Sequence, residues 1–107
     1  MTTANLFKEL DGVVRDLKRR YRPQTIILFG SLAQGRNRQG SDIDLVVIKK
    51  ASKPFTDRLR EVALLHHAHV GVDILVYTPR EWEGMLSGGG FAVDEVLKKG
   101  RVLYRAA

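Results

Sequence analysis

The chain has 107 residues, enough for one domain with a single modest core. An apolar fraction of 44% and a charged fraction of 28% are ordinary for a globular protein; no apolar run is long enough to span a bilayer, and the lack of cysteine excludes disulfides and thiolate metal sites. Eighteen Lys and Arg against twelve Asp and Glu leave a formal charge of +6, which would attract a polyanion but is equally explained by a solvated basic surface.

The N-terminal stretch MTTANLFKEL lacks the basic and then apolar regions of a signal peptide, so the expected location is the cytoplasm. Leu6, Leu10, Val13, Val14 and Leu17 recur at helical spacing and predict an amphipathic helix from about Thr3 to Arg20, stopped by Pro23. The tightest basic cluster, Lys18, Arg19, Arg20 and Arg22, falls at the end of that helix. TIILF (Thr25–Phe29) is β-branched and apolar and predicts a buried strand ending at Gly30. DLVVI (Asp44–Ile48) predicts a second strand, Pro54 to His67 a helix with Leu59, Val62, Ala63 and Leu65 or His66 toward the core, and VDILVY (Val72–Tyr77) a third strand. Thr78 followed by Pro79 is an N-cap and first-turn signal for a helix through Trp82 to about Leu86. Gly88 to Gly90 reads as a loop, Val93 to Lys99 as a last helix ended by Gly100, and RVLY as a final strand. Alternation of helices with apolar strands predicts an α/β (α+β) architecture, with one small mixed sheet and helices packed on it. With no repeat, linker or low-complexity segment, residues 1–107 read as a single unit.

The stretch GSLAQGRNRQGSDIDL (residues 30–45) carries the chemistry. Residues i and i+2 of a strand share a face, roughly 6.5–7 Å apart, so Asp42 and Asp44 present two carboxylates side by side. Carboxylates so placed repel each other unless a cation neutralises them, and Mg²⁺ favours one or two carboxylates completed by phosphate oxygens and water. Asp73 occupies in VDILVY the position that Asp44 occupies in DLVVI, so neighbouring strands would bring a third acid to the same end of the sheet. Upstream, Gly30 ends a strand and SLAQG is able to begin a helical turn. Main-chain N–H groups and the Ser31 hydroxyl would then face an anion, with Gly30 admitting it close to the backbone. With seven Asp in the chain, some D-x-D arises by chance in roughly half of shuffled sequences. Requiring Gly-Ser at one fixed distance upstream lowers this to on the order of one in several hundred.

Gly30-Ser31, ten intervening residues and then Asp42-Ile43-Asp44 resembles the signature of the nucleotidyltransferase superfamily related to DNA polymerase beta. The fuller pattern GSxAxG…SDIDLVV, with a later acid in VDILVY and the ending VLKKGRVLY, resembles its minimal stand-alone members over nearly the whole chain. The resemblance implies the nucleotidyltransferase fold and transfer of a nucleoside monophosphate, AMP from ATP, to an acceptor hydroxyl with two Mg²⁺ ions, for which Mn²⁺ substitutes. It also implies that Asp42, Asp44 and Asp73 are the metal-binding and catalytic acids, and that Gly30 and Ser31 form the triphosphate-binding turn. Where the family commonly has arginines this chain has Leu32 and Gln34, which leaves Arg36 and Arg38 as the cations of the loop. At 107 residues the chain is expected to lack the acceptor-binding domain of the larger polymerases. Minimal members are often paired with a small helical HEPN protein, a ribonuclease toxin that they neutralise by adding AMP to a tyrosine. The resemblance thus implies such a partner, a homo-oligomer, or both, and no membrane. In the alternative reading, the chain is an antitoxin that acts by binding alone.

Other candidates carry less. His66, His67 and His69 form a cluster without the acid or cysteine partners of a closed zinc site. Gly88–Gly90 follows a helix instead of a strand, which suits a connection better than a phosphate loop. Trp82, Phe91 and Tyr104 are each able to stack on a base, yet single aromatics at amphipathic positions are more often core or interface, and the surface around Trp82 and Phe91 is the expected partner face. No basic stripe with interleaved aromatics is present, so direct nucleic-acid binding is not expected.

Overall fold

In the computed structural model, which describes residues 2–36 and 42–107, four strands form one sheet in the order β3-β2-β1-β4. These are β1 (Thr25–Phe29), β2 (Ile43–Ile48), β3 (Val72–Tyr77) and β4 (Arg101–Arg105). β1 pairs antiparallel with β2 and with β4, and β2 runs parallel to β3. The sheet is mixed because the β2–β3 connection is a crossover through a helix, as parallel neighbours require.

The first helix, α1 (Thr3–Arg20), begins at Thr2, whose hydroxyl accepts from the Asn5 N–H at 3.1 Å. Leu6, Leu10, Val13 and Leu17 form its buried stripe, each worth about 2 kcal/mol of transfer free energy. They pack with Ile26, Leu28, Ile43, Leu45, Val47, Ile74 and Val76 on one face of the sheet. Lys18, Arg19 and Arg20 stand at its carbonyl end, where the helix dipole favours cations, and Lys18 lies 4.9 Å from the centre of the Tyr104 ring. On the other sheet face, Ile27, Val46 and Ile48 meet Trp82, Ala92 and Val96.

The helix α2 (Gly30–Ala33) is a single turn directly after β1. Next, α3 (Phe55–Ala63) is shorter than its sequence suggests: Leu64 and Leu65 donate to Glu61 and Val62, tightening the last turn, and the His69 N–H is drawn to Glu9 on α1 at 2.6 Å. Its buried face is Arg58 and Val62, whereas Ala63 is exposed. Arg58 donates to both oxygens of Glu81 at 2.8 and 3.2 Å, to the Lys53 carbonyl at 2.8 Å and to the Val76 carbonyl at 3.1 Å. A buried guanidinium is tolerated when it is paired and hydrogen-bonded in this way. Glu81 also closes the capping box of α4 (Pro79–Gly88), with the Thr78 hydroxyl accepting from the Glu81 N–H and the Glu81 carboxylate from the Thr78 N–H. Trp82 is buried and stacked on Tyr77, so of the expected Trp82–Phe91 surface only Phe91 is exposed.

Gly88 closes α4 instead of opening a loop, and Gly89 and Gly90, both at positive φ, turn the chain into a π-type turn, Ala92–Leu97. This replaces the expected α-helix over Val93–Lys99: Lys98 donates five residues back to Val93 at 3.0 Å. No helix of the described residues is long and apolar enough to cross a membrane.

Candidate active site

The register of the sheet builds the site. Phe29 on β1 stands directly opposite Asp44 on β2, and Asp44 directly opposite Asp73 on β3. Paired residues of adjacent strands share a face, so Phe29, Asp44 and Asp73 form a row across three strands, about 4.8 Å per step. The conditional expectation from sequence, that neighbouring strands would align Asp44 with Asp73, is met. Asp42 lies one residue before β2, and its N–H and that of Ile43 both donate to the Gly71 carbonyl, at 3.2 and 3.1 Å. These bonds hold the lead-in to β2 against the lead-in to β3.

Gly30 sits at φ +78°, a backbone conformation that side chains disfavour, and a Cβ placed there would fall on the Asp44 carboxylate. The turn and the acid therefore touch, and only glycine fits between them. Ser31 is half-buried in α2 and its carbonyl accepts from Gln34 and Arg36, at 3.1 and 2.9 Å, which closes the turn. At Gly30 and Ser31 the main-chain N–H groups begin a helical turn and are not spent on bonds within it. Arg36 is exposed and donates to the Gln34 side chain at 2.7 Å, and Arg38 lies outside the described residues. Gly30→Ala combines about 1–2 kcal/mol of backbone strain with displacement of Asp44. It is expected to weaken magnesium–triphosphate binding by at least about tenfold, beyond the effect of strain on the melting temperature. Calorimetry beside a thermal melt of the same variant measures both.

Asp44 and Asp73 line an open cleft of about 460 Å³. One arm is aromatic, Phe29 and Phe91; the other passes around β3 to Leu59, Ala63 and His66. Burial, and then the charges of Asp73 and Asp42, push the Asp44 carboxyl up from 3.8 to about 6. Asp44 thus feels both of the other acids, although among the described residues no three acids or histidines stand close enough to enclose an ion on their own. The donor set still fits a hard divalent cation, because Mg²⁺ is usually held by one or two carboxylates with phosphate oxygens and water completing the shell. Two carboxylates in register, one of them against the Gly30 turn, are such a set.

The histidines separate. His66 lines the cleft, its Nδ1 buried without a hydrogen bond among the described residues and its pKa lowered by burial. His69 sits with its Nδ1 3.2 Å from the Glu9 carboxylate, and His67 is exposed. Sequence reasoning did not find Phe29 as a site residue. Its signal was its place immediately before Gly30, which becomes informative once the β1–β2 register sets it opposite Asp44.

The sequence profile of the nucleotidyltransferase domain family matches residues 10–103. Among solved structures, the chain is similar to a crystal structure from Sulfolobus solfataricus, a protein assigned as a nucleotidyltransferase, with a TM-score of 0.67 and 19% identity. That likeness covers 96% of this chain and 83% of the other, and at this identity it shows a shared fold. No curated protein sequence matches the chain.

Proposed function

The chain belongs to the nucleotidyltransferase domain family, and on that premise we propose that it transfers AMP from ATP to an acceptor hydroxyl in a magnesium-dependent reaction. The observation that carries this reading is the contact between the Gly30 turn and Asp44 in a cleft that also holds Asp73. The turn that would take the phosphates abuts Asp44, and Asp44 shares its cleft with Asp73.

Each residue has a role that follows from its chemistry. Phosphoryl-type transfer depends mostly on positioning and charge neutralisation. Main-chain N–H groups at Gly30 and Ser31 hold the outer phosphates, with the Ser31 hydroxyl as a further donor. Asp42 and Asp44 would hold the metal ions, and Asp73 would share in holding one of them. When bound, Mg²⁺ would supply charge neutralisation at the phosphates and a lower pKa for a hydroxyl beside it. Asp73, at the β3 side of the row, takes the hydroxyl proton as the acceptor oxygen bonds to the α-phosphorus and pyrophosphate leaves. The acceptor comes from a partner, and the resemblance to minimal nucleotidyltransferases points to a tyrosine of a small helical HEPN protein in the cytoplasm.

ATP affinity measured by calorimetry with and without Mg²⁺ is expected to differ by at least about tenfold, since carboxylates and triphosphate repel without the cation. Incubation with α-labelled ATP, Mg²⁺ and a lysate of the source cells is expected to label one protein band on tyrosine. Affinity indifferent to Mg²⁺ would overturn the two-ion reading; label on a small molecule or on RNA would overturn the protein acceptor.

A further inference from the structure

We propose that Phe91, packed against Phe29, is the platform on which the base of the nucleotide stacks. This rests on the nucleotidyl-transfer reading and adds a site for the half of the substrate that the acids and the turn do not touch. The row Phe29–Asp44–Asp73 continues beyond β1 to Phe91, whose ring meets Phe29 edge-on with centroids 5.3 Å apart. Among the described residues, Phe91 is one of the few large apolar side chains left exposed, at 38%, and it lines the same cleft as the two acids. In the edge-on geometry one ring braces the other, so Phe91 keeps a face for a third ring.

The alternative arm of the cleft suits a base less well. Leu59, Ala63 and His66 provide no stable aromatic platform, and they lie beyond Asp73, on the side assigned to the attacking hydroxyl. With the α-phosphate at Asp44 and the outer phosphates at Gly30, the nucleoside needs an apolar wall within one sugar's reach of Asp44. Phe29, one strand spacing of about 4.8 Å from Asp44, begins that wall and Phe91 ends it. Gly89 and Gly90, both at positive φ, set the chain path that brings Phe91 there. Stacking tolerates any base, so the platform favours purines by surface area without reading their edges.

The test compares Mg²⁺-ATP with Mg²⁺-ribose 5′-triphosphate, which keeps the sugar and phosphates and lacks the base, on the wild-type chain, Phe91→Ala and Phe91→Trp. In the wild type, ATP is expected to bind about tenfold more tightly than the baseless analogue, the scale of one base–aromatic stack. Phe91→Ala should lower ATP affinity by about tenfold and leave the analogue unchanged, while Phe91→Trp keeps the preference. Equal wild-type affinities, or an equal loss of both ligands in Phe91→Ala, would overturn the platform; so would a Phe91→Ala defect confined to acceptor transfer, which would give the ring to the acceptor instead. A wild-type chain that binds neither triphosphate overturns the nucleotidyl-transfer reading itself.

Discussion

Asp44→Asn is expected to lower nucleotidyl transfer by about a thousandfold, the upper range for losing a positioned charge, while making the metal-free protein more stable at neutral pH. Both effects come from one carboxylate, ringed by its own kind and half-buried. Its folded-state value of about 6 lies above its ordinary 3.8, so ionisation works against folding. Below the ordinary value the group is protonated in both states and has no effect. Between the two values the folded chain keeps a proton that the unfolded chain has released, so stability falls as pH rises; above about 6 the penalty is complete. Solvent around a half-buried carboxylate screens it, leaving about 1 kcal/mol, or roughly 5 °C in Tm for a chain of this size. Melting curves of wild type and Asp44→Asn should therefore converge at acid pH and separate near neutrality, with the variant higher. Adding Mg²⁺ and ATP should raise the wild-type Tm and barely move the variant, since only the wild type holds the complex tightly. A variant less stable than wild type at pH 7 would mean that Asp44 is structurally satisfied, and it would remove the charge-crowding argument for a metal there.

Much of this site was legible in the sequence because its parts are local. Gly30 at a strand end, the i, i+2 spacing of Asp42 and Asp44, and the Thr78-Pro79 start of α4 each depend on a few adjacent residues. The strands Thr25–Phe29 and Val72–Tyr77 have the expected bounds because β-branched runs end at Gly30 and at Thr78-Pro79. What was not legible depends on distant partners. The buried place of Arg58 depends on Glu81, twenty-three positions later, which accepts from both of its terminal nitrogens. The three histidines look equivalent in the sequence, and only the path from α3 to β3 decides that His66 faces the cleft while His69 meets Glu9. Phe91 reads as one more amphipathic aromatic, because its neighbour Phe29 is sixty-two positions away and is brought to it by a turn of glycines. The alignment of Asp73 with Asp44 was readable only as a condition, since sequence does not say which strands are neighbours.

Asp73→Asn separates an enzyme from a protein that merely binds its partner. The substitution keeps the size of the side chain and removes its charge, at a position on the exposed side of the cleft. If Asp73 helps to hold a metal and takes the acceptor proton, turnover should fall by at least about a hundredfold, the usual scale for a positioned acid–base group. Triphosphate affinity should fall much less, because Asp42, Asp44 and the Gly30–Ser31 turn remain. Transfer and ATP affinity measured on the same folded variant decide between the roles. Near-normal transfer would remove Asp73 from the mechanism, and an equal loss of transfer and affinity would make it a binding residue alone. A variant that has lost transfer yet still silences a toxin partner in cells would show that binding suffices, and the intact acids would then need another explanation. Loss of both transfer and silencing is the expected result, because an acid row that raises its own charging energy is retained only where a cation and a phosphate make use of it.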